Sequence, residues 1–476
     1  MSFISYSFAV FFTIVVVLRL TLASRRVHAV YGVALLAASV VFYASAVPWH
    51  LLLLLTSSGI DLWAAKRIAA WPQGSRERRR FLVLPLVLNL SLLALFKYYV
   101  PTFAWLGLHV ESFRGSVTDL SPAWITPLPL GISFYTFEAM SYAIDVYRGR
   151  IMPVRRLRDY WLFIGFFPHL ISGPIVRASA FLYQIDRVRR PRLVVLSTGA
   201  YFMIRGFFLK MVIADNLALL VDRLWVPAAA PDANAAISLL VPILFAVQIL
   251  CDFDGYTSIA RGVAYVLGFR LPDNFNHPYI ADSFRSFWNR WHITLSHWLR
   301  DYLYVPLGGN RVPRWRMYLN LMTVMVLGGI WHGAGLTFVA WGALHGMALV
   351  VERLLGLHAM RRDGPRWPRL LWMLVVQAVV VVAWIFFRSP TLEVATGILR
   401  NIFGGGYRAI DDPDLPWKAL LFTLPTVAGH GLAWLRENEL APPSTPLSRA
   451  IAAAVMLYLA MTMFTPENSR FIYFNF

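Results

Sequence analysis

Charge is scarce in this chain: 14% of its 476 residues are Asp, Glu, Lys or Arg, where ordinary soluble domains carry about a quarter. Hydrophobic residues make up 58% and mean hydropathy is +0.57, more apolar surface than a water-soluble fold of this length could enclose. Cysteine is nearly missing. Cys251 stands alone, so no intrachain disulfide is possible, and it reads as a small buried apolar residue. No HExxH, no Cys/His cluster with ligand spacing, no GxSxG elbow and no P-loop occurs. No metal is therefore expected, nor a serine hydrolase or P-loop nucleotidase. Acidic residues number 25 against 44 Lys and Arg, a formal net charge of +19. A nucleic-acid-binding protein would gather that charge on one domain. Here it lies in short runs between apolar stretches, as topology-setting charge does in membrane proteins.

What is abundant is apolar runs of bilayer length, about 20 residues. Candidate spans fall near 3–22, 28–47, 51–65, 81–100, 127–147, 193–220, 235–252, 317–331, 332–351, 370–387, 417–435 and 447–464. The expected fold is an all-α polytopic membrane protein with 10–12 crossings plus re-entrant and interfacial helices, forming one membrane domain over 1–476. The run Phe8–Leu22 ends in Arg25 and Arg26 and reads as a first membrane helix, not a cleavable leader. Stretch 159–185 holds Gly165, Pro168, Gly173 and Pro174 among aromatics and reads as broken or re-entrant. Loops 66–80, 148–158 and 353–369 are rich in Arg and Lys, whereas 101–126, 222–234 and 404–416 are not. The positive-inside rule makes the first set cytoplasmic, which leaves both termini outside.

Segment 269–316 is the longest hydrophilic stretch between spans. Within Phe284–Arg300, helical spacing at about 100° per residue aligns Phe284, Trp288, Trp291, Leu295 and Trp298 on one stripe. Arg285, Asn289, His292 and Ser296 form a polar stripe beside it. One helix is expected, lying at the membrane interface or dipping into the bundle and carrying His292.

Ionisable groups inside spans are costly and are functional candidates by default. They include Glu138, Asp145, Asp215, Asp252, Asp254, His332 and His345. His332 lies in Leu327-Gly328-Gly329-Ile330-Trp331-His332-Gly333-Ala334-Gly335. Its glycines are expected to let a ligand or another backbone approach. A neutral imidazole there could take the proton of an attacking hydroxyl. The competing reading is a satisfied core histidine, at about even odds on chemistry alone. His345 lies thirteen residues on. Along one helix that is nearly the opposite face, so the two need not share a site. Gly308-Gly309-Asn310-Arg311 is a weak phosphate signal.

Ordered motifs then resemble one family, the membrane-bound O-acyltransferases (MBOAT), and within it the bacterial branch that O-acetylates alginate and other exported polysaccharides. They are Leu95-Phe96-Lys97-Tyr98-Tyr99, Pro127 to Phe137, Ser172 to Arg177, Val212 to Asn216, Phe287 to Arg311, Gly329 to Gly333 and the ending Phe471 to Phe476. The motif-dense core is about 127–351. The resemblance implies a bundle pierced by a tunnel, with His332 as its central catalytic histidine and His292 as the second. Asp215 and Arg177 match polar positions of the family, and Asn289 is a further supporting candidate. Asp254 departs from it, standing where look-alikes tend to carry serine.

By that resemblance the reaction is acetyl transfer from cytoplasmic acetyl-CoA, with no tightly bound cofactor, toward a polysaccharide acceptor. The expected location is a bacterial inner membrane, among lipids. A periplasmic acetyltransferase partner protein is also implied, and no nucleic acid. Two alternatives stay open: D-alanyl transfer from a carrier protein to teichoic acid, and a transporter or flippase without acyl chemistry.

Overall fold

The computed structural model describes residues 2–22, 28–109, 128–171, 173–187, 191–357 and 366–465. Ser172, part of the 101–126 and 353–369 loops, and the ending Phe471–Phe476 lie outside those residues. Among the described residues the ordered elements are helices, without strands. The chain packs as two compact units, Met1–Met203 with Thr257–Pro272, and Ile204–Tyr256 with Asp273–Phe476.

The first unit begins with α1 (Tyr6–Leu22), α2 (His28–Ala44), α3 (Pro48–Ala70), α4 (Arg76–His109) and α5 (Ile132–Tyr147). α3, α4 and α5 pack on one another. The 159–185 stretch is broken as its Pro and Gly residues require: α6 (Leu157–Gly165), α7 (Phe167–Leu170) and α8 (Ala178–Ile185) are three short helices. The Pro-Leu-Gly-Ile motif has a local physical reason. Gly131 begins α5 at φ +70°, and a Cβ there would sit 2.0 Å from the Leu170 carbonyl oxygen. That backbone conformation and that approach both require glycine.

Buried arginines cap helices in this unit. Arg78 is buried, with its guanidinium bonded to the Trp71, Val146 and Tyr147 carbonyls at the ends of α3 and α5. Arg19 is buried likewise and donates to Leu267 O. Carbonyls at a helix end are unsatisfied and carry partial negative charge, which a guanidinium neutralises.

The chain continues through α9 (Leu193–Phe207), a π-helical turn Phe208–Ala214, α10 (Asp215–Leu224) and α11 (Ala235–Leu267). The second unit further holds α12 (Phe284–Trp288), α13 (Ile293–Leu299), α14 (Arg314–His332), α15 (Leu336–Leu354), α16 (Arg366–Arg388), α17 (Leu392–Gly404), α18 (Asp414–Glu437) and α19 (Pro446–Thr462). The hairpin of α14 and α15 has the most extensive helix contact among the described elements.

By length and composition alone, Arg76–Tyr99, Ala235–Leu267 and Trp367–Arg388 are long and apolar enough to cross a membrane, with shorter apolar helices at Tyr6–Leu22, Ala29–Ala44 and Pro446–Thr462. α3 carries Asp61, Lys66 and Arg67 within its length, and the 193–220 stretch is interrupted by a π-helical turn. Apolar stripes face outward, such as Val10, Ile14 and Val17 on α1 and Leu447, Ile451 and Val455 on α19. Outward apolar stripes at helical spacing suit lipid as the solvent.

Candidate active site

The 284–300 segment is not one helix. α12 ends at Trp288, and α13 starts after His292, whose φ of 41° is left-handed. A histidine there is strained by about 1–3 kcal/mol and persists only where its surroundings impose it. Asn274 imposes it. Its Oδ1 accepts from Thr294 N at 3.3 Å, Thr294 Oγ1 at 2.9 Å and His292 Nδ1 at 3.1 Å, while its backbone O accepts from Ile293 N at 2.9 Å. These bonds start a new helix where periodicity alone predicts continuation. The polar stripe is therefore split: His292 is buried, while Arg285 and Asn289 are exposed. Asn289 closes the end of α12 with its backbone N–H.

The same contacts set the His292 tautomer. Asn274 Oδ1 takes a backbone N–H, so it is an acceptor, and His292 Nδ1 must donate to it. In the neutral ring the lone pair is then on Nε2. Burial pushes the imidazole down to about 3, which keeps it neutral at physiological pH. Its ring packs against Phe253 at 4.8 Å and Trp331 at 6.4 Å.

Glu352 anchors α12. Its Oε1 accepts from Phe284 N at 2.7 Å and Trp372 Nε1 at 3.2 Å, and its Oε2 from Arg285 N at 3.3 Å. A buried carboxylate at orphan helix N–H groups is favourable. Sequence reasoning missed both Glu352 and Asn274, since nothing local marks a residue that caps a helix from elsewhere in the chain.

His332 is the last residue of α14 and 4% exposed. Its ring is walled by Trp331 at 4.8 Å, Trp341 at 5.1 Å and Phe387 at 5.1 Å. The flanking glycines serve backbone approach more than ligand access. A Cβ on Gly329 would lie 2.2 Å from Phe338 O, and one on Gly333 2.2 Å from the Phe338 ring. Gly342 meets Met325 O in the same way, at 2.5 Å. Close glycine packing lets α15 lie against α14.

That hairpin corrects the placement of His345. The chain turns at Gly333–Gly335, so arithmetic along one continuous helix does not apply. His345 packs 4.9 Å from Trp341, the same indole that touches His332. His292 joins His332 through Trp331. The structure thus gathers His332, His292 and His345 around shared aromatic walls.

The remaining candidates make other contacts. Asp215 is buried in an ion cluster in which Lys210 Nζ lies 2.8 Å from Asp215 and 2.7 Å from Asp252. Lys210 stands in the π-helical turn and escaped sequence reasoning, although a lysine within an apolar run was the available signal. Arg177 belongs to the first unit, half-buried before α8, with its carbonyl accepting from Ala180 N at 2.9 Å. Asp254 pairs with Arg205, Nη1 to Oδ1 3.2 Å, so the residue that departs from the family pattern has a matched cation. At the Gly308–Arg311 turn, Asn310 Oδ1 is occupied by Tyr304 OH at 2.7 Å and Arg353 Nη1 at 3.0 Å. Among the described residues no group of His, Cys, Asp and Glu is arranged to hold a metal.

Residues 130–389 match the model of the membrane-bound O-acyltransferase family. A protein of Pseudomonas aeruginosa named probable alginate O-acetylase is 39% identical over 379 residues, 78% of this chain and 69% of its own. One of the same name from Pseudomonas putida is 35% identical over 472 residues, 93% of this chain and 94% of its own. A peptidoglycan O-acetyltransferase of Helicobacter pylori is 36% identical over 401 residues, 78% of this chain and 73% of its own.

Proposed function

The chain belongs to the membrane-bound O-acyltransferase family, and from that premise we propose that this multi-pass membrane O-acyltransferase moves an acetyl group from cytoplasmic acetyl-CoA to a hydroxyl acceptor serving O-acetylation of an exported polysaccharide of the alginate kind. The observation that carries the reading is His332: a buried imidazole at a helix end, walled by Trp331, Trp341 and Phe387, within the span that matches the family. The relatives named as alginate and peptidoglycan O-acetylating proteins favour acetyl as the cargo and a polysaccharide as its destination.

In this scheme the acceptor hydroxyl oxygen attacks the thioester carbonyl carbon. His332 takes the hydroxyl proton during attack and returns it to the departing thiolate, leaving an ester and free CoA thiol. His292, neutral with its lone pair on Nε2, accepts a hydrogen bond beside the reacting groups. Basic loops on the cytoplasmic face attract the CoA phosphates, and the same charge rule puts the termini on the periplasmic side of an inner membrane. A periplasmic partner protein then passes acetyl to the polymer.

The test is acetyl transfer from labelled acetyl-CoA by purified His332→Ala protein. We expect the rate to fall by about 10²- to 10⁴-fold, the usual contribution of a general base, in protein that remains folded and membrane-inserted. Near-normal transfer would overturn the assignment. Labelled D-alanyl carrier protein in a parallel reaction separates the teichoic acid alternative.

A further inference from the structure

Three rings of the second unit touch one another. Ring centroids lie 5.0 Å apart for Trp288 and His345, 4.9 Å for Trp341 and His345, and 5.8 Å for Trp288 and Trp341. Their four ring nitrogens are buried and have no hydrogen-bond partner among the described residues: Nε1 of each indole, and both Nδ1 and Nε2 of His345. His345 is 0% exposed and Trp341 2%. Phe287 lies flat on the other side of the imidazole, at 5.8 Å and 9° between planes. The group adjoins the reaction site directly, since Trp341 also packs on His332.

Burying polar groups without partners is costly, and a leucine or phenylalanine would fill the same space without that penalty. With neutral His345 the three rings offer three N–H donors and one lone pair. An accepting atom fits this excess of donors, and a carbonyl oxygen that gains negative charge during acyl transfer gains most from it. Water brings two donors, for which only the single lone pair is available.

We propose that Trp288, Trp341 and His345 form a carbonyl-oxygen subsite beside His332, which holds the acyl carbonyl of a thioester donor and stabilises the negative charge that develops on it. The inference rests on the acyltransfer reading above. As the acceptor oxygen bonds to the carbonyl carbon, the C=O π pair moves onto oxygen, facing the N–H groups. That pair re-forms the double bond as the carbon–sulfur bond breaks, and the thiolate leaves with the proton taken up by His332. The donors gain no proton and lose none.

The test uses full-length protein with an acyl thioester and a saturating hydroxyl acceptor. His345→Leu should lower kcat by about 100-fold, as loss of an oxyanion donor does elsewhere, with the acceptor KM unchanged. Its melting temperature should stay level or rise, because an apolar side chain of similar volume replaces an unsatisfied polar one. His345→Gln, which keeps a donor, should recover part of the rate. Trp288→Phe should lower kcat by about 10-fold or more. His345→Leu within about threefold of wild type would overturn the subsite. So would a rate loss in His345→Leu that follows a fall in melting temperature while Trp288→Phe keeps its rate, because that pattern describes packing. If the wild-type protein transfers no acyl group from any thioester, the acyltransfer reading itself falls, and this inference falls with it. Active wild type with insensitive variants removes the inference alone.

Discussion

His169 in the first unit and His345 in the second are both buried imidazoles, 1% and 0% exposed, and their nitrogens are used in opposite ways. His169 Nε2 faces Phe163 O at 3.1 Å, and its Nδ1 faces Glu138 Oε1 at 3.1 Å. Glu138 Oε1 also accepts from Val176 N at 2.8 Å. Nε2 must donate to the carbonyl, so one proton is shared between Nδ1 and the carboxylate. That ring is saturated by the fold and ties α5 to the broken 159–185 stretch. His345 has neither nitrogen bonded among the described residues. His292 stands between the two, with Nδ1 committed to Asn274. A fold can bury imidazole in either state. Saturation marks a structural histidine, and unsatisfied nitrogen against a reactive neighbour marks a place for substrate.

Removing the saturated ring should have the largest effect. His169→Leu leaves Glu138 buried without its ring partner, which should cost about 3–5 kcal/mol of stability. Denaturant titration in detergent measures that cost, and protein that remains folded should keep its transfer rate. A large rate loss without destabilisation would place His169 in the chemistry and dissolve the contrast. Asn274→Ala tests the intermediate case from the other side. It frees His292 Nδ1 and removes the cap of α13, so kcat should fall by about 10- to 100-fold, a barrier change of about 1.4–2.7 kcal/mol. Asn274→Asp keeps the accepting oxygen and should recover much of that rate. An Ala variant with unchanged kcat would show that the tether does not matter.

The last effect is one of pH. Burial lowers His292 from 6.5 to about 3 in the folded protein. Between those values the unfolded chain binds the proton more readily, so stability is full above pH 6.5 and is lost as pH falls toward about 3. The slope from this one group is at most about 1.4 kcal/mol per pH unit. His292→Asn should flatten that part of the stability profile between pH 7.5 and 5, and an unchanged slope would mean the ring is not buried in solution.

What the order of residues could anticipate, and what it could not, differs residue by residue. His332 stood out as a candidate because an ionisable group in an apolar run is costly, and its place among the ordered motifs raised it above the others. The broken 159–185 stretch could be found because Pro168, Gly173 and Pro174 forbid a continuous helix. The break before His292 could not. Nothing local in 284–300 stops a helix, and the stop comes from Asn274, which is ten residues upstream of Phe284. His345 was misplaced because arithmetic along one helix ignores the turn at 333–335. Asp254 looked like an anomaly until Arg205 stood beside it, 49 residues away in sequence.

Composition and periodicity by themselves determined the solvent and the helical class. Those properties are sums over side chains or local spacings, which the order of residues carries directly. Only tertiary structure decided which imidazoles are satisfied, which carboxylates are paired and which rings share a wall with His332. Each of those is a contact between distant segments, and a buried polar atom has its value set by the partner that reaches it.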